Sequence, residues 1–381
     1  MTSDEAAPAA EERRLWLARW VFSPLAGVTW SGWGRMLRAH GLSIPPQYWA
    51  RTVFTSLMAT LNSVIANHEK KTYTAAIDTM KVERPVFILG HHRSGTTHLW
   101  NLLSRDERFA SPTVLQAVFP QTFLTFEKFA RGGTERLAPR KRPQDNVKFS
   151  ADEPIEEERA LCSETFLSIQ MGRHFPQKRE EFKGLLSLRD ASLEERGTWK
   201  KALDRFARKL MVRHGRDKTL LFKAPDHTAK IALIRELYPD ACFIHIHRKH
   251  YTVFQSTVKM EKTTVPLYAY QKPDEATLAE FILWRYRAMY DAFFSDMVGI
   301  PEGQFAEVSF NELETNPLES LERLYQTLNL PGFDKAKPRI ESYVNAIAGY
   351  QKNDYAHLPD DLKAQVAAAW SESFERWGYA K

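Results

Sequence analysis

A short apolar run, PVFIL at 85–89, ends at Gly90 and passes directly into HHRSGTTHLWNLL. An apolar run of this length closed by glycine reads as a buried parallel strand, and the residues beyond the turn carry helical spacing. A glycine-bearing turn between such a strand and a helix aims backbone N–H groups and the positive helix end at one point, which makes an anion cradle for phosphate or sulfate. The spacing of Gly90, Gly95 and Thr96-Thr97 is that of a nucleotide P-loop, except that Thr96 stands where the phosphate-binding lysine belongs. The cation sits inside the turn instead, as Arg93, whose planar fork holds two oxygens at once.

Further runs of the same kind follow. TLLF at 219–222 and CFIHI at 242–246 predict two more buried strands, and the partial alternation of FAEVSF at 305–310 predicts a less buried one. Helical patterns lie between them, so the expected fold is α/β, a P-loop-like parallel sheet flanked by helices, with a helical N-terminal segment. In that segment Val53, Leu57, Leu61 and Ile65 recur every four residues, which predicts an amphipathic helix over 47–79 that shields one side of the sheet domain. The expected organisation is a disordered tail at 1–14, acidic and Ala-rich, a helical cover at 15–84 and the α/β domain at 85–381. Residues 131–145, rich in Gly, Pro and Arg, separate the first strand-helix unit from the second half.

Residues 20–34 are uncharged and carry Trp20, Trp30 and Trp33, but Ser23 and Pro24 interrupt them and they fall short of the roughly 20 residues that span a bilayer. Two readings stay open: a helical cover packed on the domain, or an interfacial anchor flanked by Arg14, Arg19 and Arg35 that makes peripheral membrane contact. The chain has 381 residues, enough for a core without staples, and its 53 Lys and Arg against 47 Asp and Glu leave a surplus of +6. That mild surplus suits an anionic ligand and argues against nucleic acid as a partner. The two cysteines, Cys162 and Cys242, form neither a disulfide framework nor a zinc spacing, so a reducing, cytoplasmic compartment is expected. His245 and His247 share one side of a strand near His91 and His92, yet no carboxylate or cysteine stands beside them at ligand spacing, and no metal is expected.

Arg248 follows the third run, and Ser256 comes eight positions later on the next helix. Ligands of an open parallel sheet sit beyond the carboxyl ends of its strands, so Arg248 and the Gly90 turn address one crevice. Two separated anion sites fit a ligand with phosphates at its 3′ and 5′ ends. A P-loop kinase or NTPase would need the missing lysine and a strand-end carboxylate for magnesium. A membrane-peripheral nucleotide-binding protein without catalysis is the other alternative.

With these motifs in order, the chain resembles the sulfotransferases that use 3′-phosphoadenosine 5′-phosphosulfate, from about Pro85 to Leu330. The resemblance assigns Arg93, Ser94, Gly95, Thr96 and Thr97 to the 5′-phosphosulfate loop, with His92 and His98 counted among the donor-binding residues, and Arg248 with Ser256 to the 3′-phosphate. RPQDN at 142–146, EEERAL at 156–161, FKAPDHTAKI around Lys223 and EVSFNELETNP at 307–317 look like further family elements. Where related enzymes place a catalytic glutamate soon after the loop, this chain has Thr113, Leu115 and Gln116, and Gln116 cannot take a proton. The implied reaction moves a sulfuryl group to a hydroxyl or amine of a small-molecule, carbohydrate or lipid acceptor without a metal. The loop amides, Arg93 and the Thr97 hydroxyl would meet the charge on the leaving phosphate. Lys352, in YQKNDY at 350–355, either folds over the 3′-phosphate or adenine or lies in a solvated loop.

For the general base the residues point to Glu158. Asp152 and Pro154 suit a helix start, and Ile155, Cys162, Phe166 and Ile169 then form an apolar stripe that includes Glu158, while Glu156 and Glu157 face solvent. Partial desolvation on such a stripe raises a carboxyl pKa and makes a better proton acceptor. The competing role is an ion pair with an arginine such as Arg142. Glu153 and His98 are the other base candidates.

Overall fold

The computed structural model describes residues 23, 25–127, 150, 152–349 and 358–381. Five strands form one parallel sheet in the order β2-β3-β1-β4-β5: β1 Val86–Leu89, β2 Phe109–Ala110, β3 Thr219–Lys223, β4 Cys242–His247 and β5 Phe305–Ser309. Four of them are the strands expected from the sequence. The fifth, β2, is two residues long in a polar setting and carries no periodic signal of its own.

β1 lies in the middle, with Phe87 in register with Phe222 on one side and Phe243 on the other. All four of its residues are buried. Alternation sends Phe87 and Leu89 to one face, where they pack with Phe206, Ile234 and Phe293, and Val86 and Ile88 to the other, where they meet Leu99, Leu321 and Ile340. A strand covered on both faces reads as an unbroken apolar run, which is why PVFIL was legible. β5 is an edge strand. Ala306 and Val308 are buried on one face while Phe305, Glu307 and Ser309 are only partly buried on the other, so its alternation is real.

The N-terminal cap is two helices, α1 (Trp30–His40) and α2 (Trp49–Asp78). Trp33 is fully buried, donates its indole N–H to Ser56 Oγ at 2.8 Å and packs with Cys162, Phe175 and Tyr270, so this part of the Trp-rich segment is cover and not anchor. Trp20, Arg14, Arg19 and the tail lie outside the described residues, as do 131–145, Arg142 and Lys352.

The expected orientation of α2 is corrected. Its apolar series does not shield the sheet domain: Val53, Leu57 and Leu61 are 58%, 66% and 48% exposed, and the buried face consists of Thr55, Ala59, Asn62, Glu69 and Ile77. Hydrogen bonds and an ion pair satisfy these polar groups. Asn62 Nδ2 donates to the carbonyls of Ala26 and Val28, Thr55 and Tyr270 share a hydroxyl bond, and Glu69 pairs with Lys209. No helix among the described residues is long and apolar enough to cross a membrane.

Candidate active site

β1 delivers the chain into the turn at 90–95, and the helix α3 (Thr96–Leu103) begins directly after it. The turn needs its glycines. Gly90 has φ +136° and a Cβ there would stand 2.8 Å from Ser94 Oγ, while Gly95 has φ +108° and its Cβ would meet the Phe310 ring, with Cε2 at 3.0 Å. Arg93 also takes a left-handed φ of +70°. The Gly90 N–H donates to Thr228 Oγ1 at 2.8 Å and the His91 N–H to Tyr290 Oη at 3.3 Å, which pins the start of the turn.

The geometry is that of an anion cradle. No side chain caps α3, so the first amides of the helix are left to a ligand. The Ser94 hydroxyl, 1% exposed, has no protein partner among the described residues. A buried hydroxyl of that kind fits an oxyanion as its missing partner. A phosphosulfate therefore suits the residues present.

A residue expected at the second anion site lies against the first. Arg93 Nε donates to Ser256 Oγ at 2.8 Å, across 163 residues of sequence. Ser256 belongs to the helix α4 (His250–Tyr268), which follows β4 and the Arg248 turn. The Arg248 guanidinium lies over the Phe310 ring at 4.1 Å, and the same ring closes against Gly95, so one aromatic side chain spaces the two sites. His98 also approaches Phe310, with ring centroids 6.1 Å apart.

Beside the turn lies a cavity lined by His92, Gln170, Arg173, Asp226, Glu261 and Arg285 among others. His92 Nε2 is 3.5 Å from Asp226 Oδ1, and Gln170 Nε2 donates to Asp226 Oδ2 at 2.9 Å. Burial lowers the His92 pKa more than Asp226 restores it. Burial alone would raise Asp226, but His92 and Lys230 hold its carboxyl well below the usual carboxylate range. The pair is thus a neutral imidazole against a carboxylate. Glu261 accepts from Arg173 and Arg285, each at 2.9 Å, and these two cations outweigh its burial and keep it ionised.

Glu158 is inside, as expected, but the helix spans only Glu158–Thr165, so Ile155, Phe166 and Ile169 share no helical stripe with it, and it is closed off. It is 0% exposed, accepts from Ser168 Oγ at 2.6 Å and faces His227 at 3.3 Å and Lys230 at 3.5 Å. Its neighbours correct the expectation of a solvated side. Glu157 is also 0% exposed, accepting from the Lys223 N–H and lying 3.0 Å from His227, while Glu156 pairs with Lys223 Nζ. The physical reason is that the helix starts only at Glu158, and Pro154 instead bridges to Thr113, so helical periodicity does not apply to 155–157. Burial lowers the His227 pKa, but the two glutamates outweigh it and raise it to about 9.

Gln116 completes a capping box with Thr113 and is structural. Glu153 is half-buried on the loop before Pro154. His245 bonds to Glu307 at 2.7 Å and Tyr290, and His247 bonds to Tyr379 at 2.8 Å and stacks on Trp377. Sequence reasoning missed Asp226, Gln170, Arg173, Glu261 and Arg285. Asp226 had a signal, being a charged residue just past a buried strand in FKAPDH, whereas Arg285 sits among apolar helical residues and had none.

The profile of the sulfotransferase family matches residues 85–335. Two curated relatives, the omega-hydroxy-beta-dihydromenaquinone-9 sulfotransferase Stf3 of Mycobacterium bovis and of Mycobacterium tuberculosis, are each 30% identical over 367 residues, covering 95% of this chain and 94% of theirs. Among solved structures, sulfotransferase STF9 from Mycobacterium avium superposes with a TM-score of 0.66 at 18% identity, over 87% of this chain and 86% of that one. Sulfotransferase STF1 from Mycobacterium tuberculosis H37Rv does so with a TM-score of 0.61 at 18% identity, over 97% and 99%. These two share the fold.

Proposed function

The chain belongs to the sulfotransferase family, and we propose that its donor is 3′-phosphoadenosine 5′-phosphosulfate and its acceptor a lipid hydroxyl. The family membership makes it a transferase, and the kinase and non-catalytic alternatives fall away. The donor reading is supported by the Arg93–Ser256 bond, which brings the loop arginine to a residue expected at the 3′-phosphate. In this reading Ser94, Gly95, Thr96 and Thr97 hold the phosphosulfate, Arg248 and Ser256 the 3′-phosphate, and His98 borders the loop. Arg93 neutralises charge as the sulfur–oxygen bond to the 5′-phosphate breaks.

His92 takes the place of Glu158 as the proton acceptor. Asp226 Oδ1, 3.5 Å from Nε2, favours a proton on that nitrogen, and Nδ1 would then receive the acceptor proton as the acceptor oxygen bonds to sulfur. Glu158 has no path to an acceptor, since its carboxylate is committed to buried groups. The lipid class follows the relatives, whose name specifies a dihydromenaquinone acceptor, and with it goes a proposed membrane contact on the cap side, where Trp30 is exposed. Calorimetry with 3′-phosphoadenosine 5′-phosphate, ATP and AMP tests the donor. The bisphosphate should bind much more tightly, and Arg248→Ala should cost it about tenfold to a hundredfold. Equal affinities for ATP and the bisphosphate would refute the donor reading.

A further inference from the structure

We infer that the outer face of α2 is a docking surface for an anionic lipid bilayer. This extends the membrane contact proposed above from the Trp30 segment to a defined helix face. Large exposed apolar side chains concentrate on the cap: Trp30, Leu42, Trp49, Val53, Leu57, Leu61 and Val64, against Leu193 and Val298 among the other described residues. At 100° per residue, Trp49, Val53, Leu57, Leu61 and Val64 fall within an arc of about 120°. Trp30 borders that arc, because its indole N–H donates at 2.8 Å to Thr60 Oγ1, and Thr60 lies within the arc. The patch is therefore continuous across both cap helices, and a contiguous apolar face of this kind marks an interaction site.

Charge identifies the occupant. Arg35, Arg38, Lys70 and Lys71 are exposed around the patch, and Lys71 falls on the same arc one turn and more beyond Val64. From Ser23 to the end of α2 the acidic residues are Glu69, which is buried and paired with Lys209, and the terminal Asp78, which is exposed about two turns beyond Lys71. An apolar face with tryptophans at its border and a surround in which Arg35, Arg38, Lys70 and Lys71 outnumber Asp78 matches the interface of a bilayer that carries anionic headgroups. The inner face of the same cap supports the site. Thr55 bonds Tyr270, Arg51 donates to the Ala269 carbonyl, and Trp33 packs on Phe175, in the segments that continue to Gln170, Arg173 and Glu261 of the cavity. Docking through α2 thus holds the cavity's supporting segments next to the lipid phase.

The test is co-sedimentation of the full chain with vesicles of phosphatidylcholine alone and of equimolar phosphatidylcholine and phosphatidylglycerol. Binding should be confined to the anionic vesicles, fall with salt, and drop at least tenfold in Leu57→Glu/Leu61→Glu. Lys70→Gln/Lys71→Gln should lower it by roughly fivefold per charge removed. All four side chains are exposed, so folding should persist, and unchanged melting and unchanged calorimetric binding of 3′-phosphoadenosine 5′-phosphate confirm it in each variant. Absence of the full chain from the anionic vesicle pellet overturns the inference. So does a dimer in analytical ultracentrifugation that Leu57→Glu/Leu61→Glu dissociates while vesicle binding persists, since the face then belongs to a second copy. Vesicle binding with no bisphosphate binding would sink the donor reading and leave this one standing.

Discussion

Replacing Gly95 by alanine tests whether the loop and the 3′-phosphate site are one unit. The backbone there has φ +108°, and holding a side chain in so sparsely populated a conformation costs on the order of 1–3 kcal/mol. The new Cβ also runs into the Phe310 ring, with Ile246 Cδ1 at 3.2 Å on the other side, so the ring must move. That ring is the seat of the Arg248 guanidinium at 4.1 Å. In the donor site proposed above, a displaced Arg248 would forfeit a charged hydrogen bond to the 3′-phosphate worth about 1.5–3 kcal/mol. Bisphosphate affinity should therefore fall tenfold or more by calorimetry, and the melting temperature by about 2–4 °C for each kcal/mol of strain. A smaller side chain at position 310, in Gly95→Ala/Phe310→Leu, should return part of the melting temperature without restoring the affinity. Wild-type affinity in Gly95→Ala would show that Phe310 does not couple the two sites.

Arg93→Lys keeps the charge and loses the fork, so donor binding should survive in part while turnover falls further, and unchanged turnover would reduce Arg93 to a surface cation. His92→Asn should leave bisphosphate binding near wild type and cut sulfuryl transfer about a hundredfold or more; an undiminished rate removes the His92–Asp226 pair from catalysis. Glu158→Gln removes the carboxylate that faces Lys230 and one of the two that face His227, and should destabilise the fold by about 3–5 kcal/mol in denaturant titration, with turnover per folded molecule retained. The pH dependence of melting should have two limbs. His227, raised to about 9 in the fold, contributes stability that is complete below its ordinary value near 6.5 and is lost as pH rises through 9. Burial lowers His174 and His247 to about 4 and His250 to about 3, so they contribute stability above about 6.5 that is lost as pH falls through those values. A flat profile across the alkaline limb would refute the ionised His227.

What was legible in the amino-acid sequence is what local chemistry and short-range periodicity decide. PVFIL, TLLF and CFIHI announce strands because both faces of each are covered, and the Gly90 turn announces an anion cradle because only glycine tolerates its backbone. Arg93 and Ser256 could be expected near one another because a parallel sheet brings its strand ends together whatever lies between them. Which side of a helix is buried is a different kind of question, answered by the partner surface. α2 turns Asn62 and Glu69 inward because Ala26, Val28 and Lys209 wait there to satisfy them, and its valines and leucines are left outside. Glu158 shows the same limit. Its burial was expected from a stripe of which only Cys162 shares its helix, its confinement depends on His227 and Lys230, about seventy residues away, and His92 is proposed as the base because Asp226 lies against it. Periodicity predicts that a side chain points inward, and only the tertiary packing decides what it finds there.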